Sequence, residues 1–393
     1  MVVQFRRHTG LFVSRSIFVL AFVNLFSALA IASISVIWAV YINSFVNNIA
    51  LTGLISAGLS LVSVISYFLF IPIVQKSKKS QLFVYSLILL CIIYLLFYFN
   101  HSFILFIFLA TFITILYTIR VSVFGIIVRD KSKDGELSEN EGFIYTFLNL
   151  GWVLGPFIGG YIGSFFGNNY VFLLAFIFCF VGLMIFSFSK VKDNNQSKKI
   201  NDKFFRNFFE FFGNKERVSA YFFRGGTFIW WTLSYIFMPL YIVQNGLREI
   251  WIGYSLFAVA VPLITSEYLF SKMTRHYGFR KVFMTGFAIA FFFAIASFLA
   301  GDIFLIMFFL ILASFGMAML EPTTEAYFLE VSSRNSVHRF YGPFNTSVDV
   351  MQSLGKILAS LLLFVLPFKY LFLLFAAFMA IMFLFTYQHK NMR

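Results

Sequence analysis

The sequence predicts an all-α polytopic membrane protein of twelve transmembrane helices, arranged as two six-helix bundles related by pseudo-two-fold symmetry. Three observations carry that expectation. The 393 residues are 60% hydrophobic and only 12% charged, against roughly 25% charged residues in an average soluble domain. The apolar residues gather into twelve long runs, and one polar stretch, Lys190 to Arg217, divides those runs six and six. A soluble fold of this size could not hide so much apolar surface, which excludes a cytosolic enzyme, a secreted disulfide scaffold and a disordered regulator. Cys91 and Cys179 both lie in apolar runs, so there is no disulfide framework and no CxxC metal site. No cofactor is implied.

A helix crossing about 30 Å of hydrocarbon needs about 20 apolar residues. The first six runs meeting that length are Arg15 to Tyr41, Asn48 to Val74, Ser80 to Phe99, Ser102 to Val128, Glu141 to Phe166 and Asn169 to Phe188. The second six are Ser219 to Val243, Glu249 to Ser271, Lys281 to Ala300, Asp302 to Glu330, Phe340 to Leu366 and Tyr370 to Tyr387. The short alternating segments of a membrane β-barrel are absent, and the first run is too long for a cleaved signal peptide. The expected organisation is an N-terminal bundle (1–189), a cytoplasmic linker (190–217) and a C-terminal bundle (218–393).

Lys and Arg placement sets the orientation. The two termini and the even-numbered turns carry 25 of the 30 basic residues, while the odd-numbered turns carry only Arg248 and Lys369. That bias places both termini in the cytoplasm of a multi-pass protein of the cell membrane. The net charge of +14 is therefore a topology signal, and no nucleic-acid partner is needed. Within the linker, Phe204, Phe205, Phe208, Phe209 and Phe212 share a helical face opposed to Lys203, Arg206, Asn207 and Glu210. Two readings stand: an amphipathic helix lying on the inner leaflet, or an early start to helix 7.

Helix 5 carries the most specific pattern: Gly142, then Gly151, Gly155-Pro156 and Gly159-Gly160. Gly151, Gly155, Gly159, Gly163 and Gly167 also recur every four residues, a ridge that lets another helix approach closely. Pro156 removes a backbone hydrogen bond and can kink the helix. Tight packing alone would explain the same residues.

The chain resembles the major facilitator superfamily over essentially its whole length. The glycines and Pro156 of helix 5 are similar to motif C of its proton-driven drug exporters, every position in register. Between helices 8 and 9, Arg275-His276-Tyr277-Gly278-Phe279-Arg280-Lys281 resembles a degenerate copy of the cytoplasmic motif A, with Arg275 where the family places an acid. Gln75-Lys76-Ser77-Lys78-Lys79 keeps only its basic character. Arg120 resembles the intramembrane arginine of motif B, with Val123 and Gly125 following. Helix 1 lacks the acidic residue many of these exporters carry. The resemblance implies that helices 1, 4, 7 and 10 line a central cavity. It also implies that Arg120 and Glu321, at equivalent depths in equivalent helices, could meet there and part when a proton or substrate arrives.

Charges within spans are costly and usually face a wet cavity or each other. The N-terminal half holds Arg120. The C-terminal half holds Arg224, Glu267, Glu321, Glu325, Asp349 and Lys356, with Glu330 at a span end. Glu321 and Glu325 lie one turn apart on one face, and two close carboxylates repel, which favours a proton on one of them. A proton-coupling role for Glu321, Glu325 and Asp349 follows, with Arg120, Lys356 and Arg224 as cavity charges. The opposing reading is static pairing, Glu325 with Arg224 and Asp349 with Lys356. Asp349, Gln352, Ser353, Lys356 and Ser360 form a polar stripe on helix 11.

Most of the 60 Phe are lipid-facing filler. Asn24, Ser27, Trp38 and Tyr41 of helix 1, Trp230, Ser234 and Tyr235 of helix 7, and Gln352 are the substrate-cavity candidates, because aromatic walls with few polar groups suit amphipathic ligands. Helix packing uses the same residues. The expected function is a secondary transporter working by alternating access, a proton-coupled antiporter exporting amphipathic compounds. The alternative is proton-coupled uptake of a sugar, organic acid or peptide. No enzymatic chemistry is expected, since no His-rich cluster, HExxH or Ser/His pair stands in the spans. The partners are a small-molecule substrate, protons and membrane lipid, and the protein is expected to act as a monomer.

Overall fold

The computed structural model describes residues 14–132, 137–189, 191, 204–332 and 337–389. Among them every regular element is helical. Lipid offers a backbone no hydrogen-bonding partner, so a spanning segment must satisfy its own amides and carbonyls, as a helix does. The first six helices are α1 (Arg15–Val46), α2 (Ile49–Lys76), α3 (Lys79–Phe99), α4 (Phe103–Lys131), α5 (Leu137–Phe166) and α6 (Asn168–Phe188). A short helix, α7 (Phe204–Phe212), follows. Then come α8 (Lys215–Gln244), α9 (Glu249–Leu299), α10 (Ile303–Val331), α11 (Val337–Leu363) and α12 (Tyr370–Gln388).

The twelve expected spans are all present. The eighth and ninth form the single element α9, broken at Gly278, whose φ of 76° suits only a residue without a Cβ. Eleven spans are long and apolar enough to cross a membrane by length and composition. The twelfth, α11, is long enough, but its polar stripe lowers its apolarity. The chain is a multi-pass membrane protein.

Local chemistry sets the ends. Asn47 takes a positive φ of 49° in the tight turn from α1 to α2, a conformation asparagine tolerates. Asn214 caps α8 by accepting from Glu216 N and Arg217 N, each at 3.0 Å. Asp302 caps α10 by accepting from Phe304 N at 2.8 Å and Leu305 N at 3.1 Å. Each cap satisfies amides that the first helical turn leaves without a partner.

By contacts the chain divides into two compact units, Met1–Ile37 with Val62–Ile200, and Trp38–Leu61 with Asn201–Arg393. The first, unit 1, packs α5 against α1 through the glycine ridge. A Cβ built on Gly151 or Gly155 would sit 2.5 Å from the Cβ of Ala28 or Ala32, and one on Gly159 would strike the Ser33 backbone. The closeness lets Ser33 Oγ donate to Gly155 O at 3.1 Å. Gly142 faces open space.

Unit 2 closes one seam similarly, with Gly286 of α9 and Gly316 of α10 each against the other's backbone. Elsewhere its seams are aromatic or polar. Phe328 stacks on Phe344 at 4.0 Å, and Tyr241 on Phe368 at 4.2 Å. The first half of α2 packs against α11: Gly53 leaves no room for a side chain beside Ser360 and Phe237, and Ser353 Oγ donates to Ala57 O at 3.1 Å.

The linker helix is separate from α8, with Gly213 and Asn214 between them, so an early start to helix 7 is not what forms. Among its described side chains Phe211 is buried, against Phe328, Phe340 and Tyr221. Lys203 and most of the linker before it, together with the side chains of Phe204, Phe205, Gln75, Lys76, Glu267 and Arg275, lie outside the described residues.

Candidate functional site

The densest group of intramembrane charges is in unit 2, where α8, α10 and α11 come together. Arg224 Nη1 of α8 donates to Glu325 Oε2 of α10 at 3.0 Å. Tyr341 of α11 donates its hydroxyl to Glu325 Oε1 at 2.6 Å. Both oxygens of Glu325 are thus occupied, and the guanidinium is further covered by the rings of Phe344 at 4.8 Å and Phe228 at 5.5 Å. The static-pair expectation for Glu325 and Arg224 matches this geometry.

Glu321, one turn earlier on α10, is in a different state. Its Oε2 is shielded from solvent and accepts no hydrogen bond, although Arg224, Glu325 and Tyr235 lie within electrostatic reach and the Trp231 indole is close. Elsewhere on α8 and α11 other polar atoms are unsatisfied: Trp230 Nε1, Ser234 Oγ and Ser347 Oγ are buried without partners. Trp230 precedes, and Ser234 lies within, a departure from α-helical geometry, since residues Leu233–Phe237 of α8 form a π-turn ahead of Pro239. Such turns re-aim side chains and recur at functional sites.

Lys356 of α11 is buried. Its ammonium donates to Ser60 Oγ at 2.7 Å and to the Ser56 carbonyl at 3.5 Å, both on α2. Asp349, two turns earlier on the same helix, is half-buried and within electrostatic reach of this lysine. Gln352 is also half-buried. Trp38 and Tyr41, at the end of α1 that groups with unit 2, are half-buried and buried.

In unit 1, Arg120 of α4 is only 5% exposed. Its Nε has no hydrogen-bond partner, and its guanidinium lies 5.9 Å from the Tyr117 ring. Tyr117 in turn shares a hydroxyl hydrogen bond with Tyr94 of α3. Asn24 and Ser27 of α1 are buried, the latter's Oγ without a partner. Gly160 and Pro156 are buried in α5 beside the ridge.

The loop within α9 places Arg280 on the end of α12. Its Nη2 donates to Tyr387 O at 2.6 Å and its guanidinium lies 5.4 Å from the Tyr387 ring. A cation there complements the negative end of the helix dipole. Lys281 is exposed beside it.

Sequence reasoning missed Tyr341, Ser56, Ser60 and the π-turn. Ser56 and Ser60 stand four apart, a small polar stripe that helical periodicity could have revealed. Tyr341 carried no signal, since its partner is fixed only when two helices meet.

A family model described as Major Facilitator Superfamily matches residues 20–272 and 259–391. Among solved structures the chain is similar to a POT family transporter in complex with 5-aminolevulinic acid, with 13% identity and a TM-score of 0.76 over 98% of each chain. It is also similar to a bacterial homologue of the human lysosomal transporter Spinster, at 13% identity and TM-score 0.74 over 95% of this chain and 96% of that one. A third is the human organic anion transporter MFSD10, at 14% identity and TM-score 0.67 over 95% of this chain and 99% of that one. No curated protein sequence matches. At such identities the structural likeness is one of fold, whereas the family model spans almost the whole sequence: the chain belongs to the Major Facilitator Superfamily and is a secondary transporter.

Proposed function

We propose that this transporter is coupled to protons through Glu321. The observation that carries the reading is the contrast between neighbouring carboxyls. Glu325 is saturated by Arg224 and Tyr341, while Glu321 Oε2 is shielded and accepts nothing. A carboxyl that must alternately hold and release a proton needs that freedom, because a salt bridge would fix it as the anion. Asp349 is a further coupling group, and Lys356 and Arg120 are the cations whose partners change during the cycle. Both termini are placed in the cytoplasm by the distribution of Lys and Arg.

The direction proposed is export of amphipathic compounds, by antiport and alternating access, with Trp230, Ser234, Tyr235 and Gln352 among the groups meeting the substrate. Its support is the motif C pattern of α5, of which Gly151, Gly155 and Gly159 seat directly on α1. Uptake by symport is the second reading, favoured by the similarity in fold to POT family transporters, among them a peptide transporter. The test is reconstitution in liposomes with an imposed pH gradient, following lumenal pH while dyes, sugars and peptides are added. Proton movement against substrate identifies export by antiport, and movement with it identifies symport. Glu321→Gln and Arg120→Ala should each abolish coupled flux, and unaltered coupling in either variant removes that residue from the mechanism.

A further inference from the structure

Helix α7 plays no part in the transport chemistry above, yet it is held firmly. Phe211 is buried among Phe328, Phe340 and Tyr221. Arg217 donates from Nη2 to Glu210 O at 2.5 Å and lies 4.0 Å from the Phe340 ring. Only Gly213 and Asn214 separate α7 from α8, which begins its span at Lys215. Two residues reach at most about 7 Å, so α7 is fixed at the level of the membrane surface.

Its outward side combines two features that water alone does not favour. Phe209 is 80% exposed and Phe212, three residues on and therefore on the same side, is 47% exposed. Arg206, at 65% side-chain exposure, stands one turn before Phe209, and Arg339 of α11, at 46%, reaches the same helix at Asn207 and Glu210. Both are paired to the single carboxylate of Glu210, Arg206 through Nε at 2.7 Å. Arg339 also donates from Nε to Asn207 Oδ1 at 3.1 Å. Two cations sharing one anion leave unneutralised charge, and a guanidinium fork matches a phosphate's paired oxygens.

We propose that this face docks onto anionic phospholipid, with Phe209 and Phe212 entering the bilayer interface and Arg206 and Arg339 taking the lipid phosphate. The proposal goes beyond the transport reading and does not depend on it. A bilayer fits better than a soluble protein because the face is tethered within two residues of a spanning helix and pairs aromatic wedges with cations, the composition of an interfacial helix. Each basic residue near an anionic membrane surface strengthens attraction to it roughly fivefold.

The test uses the full-length protein carrying Phe209→Cys labelled with bimane, a position whose exposure tolerates the label. Cys91 and Cys179 are buried, and the unsubstituted protein supplies the background. Vesicles of phosphatidylcholine contain an equal small fraction of headgroup-nitroxide phosphatidylglycerol or headgroup-nitroxide phosphatidylcholine. The expected result is quenching by both lipids, several-fold stronger for phosphatidylglycerol, with that preference lost in R206Q/R339Q. Glu210→Gln, which keeps both arginines and removes their competitor, should hold or raise the preference. Quenching by aqueous iodide alone would place the face in water and point to a soluble partner, overturning the proposal. Equal quenching by the two lipids, a preference surviving in R206Q/R339Q, or one lost in Glu210→Gln would overturn it as well.

Discussion

In unit 1 the seam between α1 and α5 is glycine against backbone, and the described spans hold one buried cation, Arg120, without a hydrogen bond to its Nε. In unit 2 the seams around α11 carry an ion pair, a tyrosine donor, a buried lysine and a shielded carboxyl. The difference teaches how each unit meets a problem peculiar to lipid. Helices in a bilayer gain nothing from the hydrophobic effect when they associate, because lipid tails are as apolar as leucine. Close approach and interhelical hydrogen bonds must supply the attraction. Unit 1 relies on approach along α5, which gives a stiff frame. Unit 2 adds polar contacts, and polar contacts can exchange partners.

The sharpest way to break this comparison is Glu321→Gln. Coupled flux in liposomes should fall on the order of a hundredfold or more, the scale of losing a positioned acid–base group. Flux close to the parent's would make the polar seams of unit 2 structural, like the ridge of unit 1. Next is Gly159→Ala, which forces a Cβ into the Ser33 backbone. It should cost about 2 kcal/mol in thermal unfolding in detergent, while Gly142→Ala, facing open space, should stay within about 0.5 kcal/mol. Equal effects at both positions would end the frame reading.

Lys356→Met asks whether a polar seam stabilises or merely operates. Exchanging a buried cation for an apolar side chain of similar length should change stability by no more than about 1 kcal/mol, while transport falls clearly. A large loss of stability would make the contact of Lys356 with Ser60 and Ser56 a structural staple. The smallest effect is at the membrane surface. The hydrogen bond from Arg206, and then the nearby charge of Arg339, hold Glu210 below its ordinary glutamate value. A lowered carboxyl pKa gives the tie between α7 and Arg339 a strength that is complete above the ordinary glutamate range and fades as pH falls through the depressed value. The mobility of a nitroxide at Phe209→Cys should rise only in that acidic window, and Glu210→Gln should remove the dependence.

Much of the fold was legible because lipid makes strong demands on sequence. The twelve runs, the break after the sixth and the glycine ridge follow from backbone self-sufficiency and small-residue packing, and both leave local, periodic marks. The candidate charges were legible for the same reason, since any ionisable residue in an apolar run stands out. Their partners were not. Arg224 and Glu325 are 101 residues apart, and Lys356 and Ser60 are 296 apart. Helix α7 illustrates the limit on a small scale. Its phenylalanines cover nearly half its circumference, so periodicity could not choose which edge would be buried, and Phe211 was left out of the expected face.

The sequence by itself determined that this is a helical membrane protein, how many times it crosses, and which residues carry charge into the bilayer, because burial in hydrocarbon penalises any other pattern. Only the tertiary structure decided that Glu325 is saturated while Glu321 is not. It also decided that the first half of α2 groups with the C-terminal helices, and that Arg206 and Arg339 share one carboxylate. Those outcomes depend on which side chains meet when distant helices pack, and a hydrogen bond or ion pair forms only within a few ångströms, a distance that periodicity along one helix does not encode.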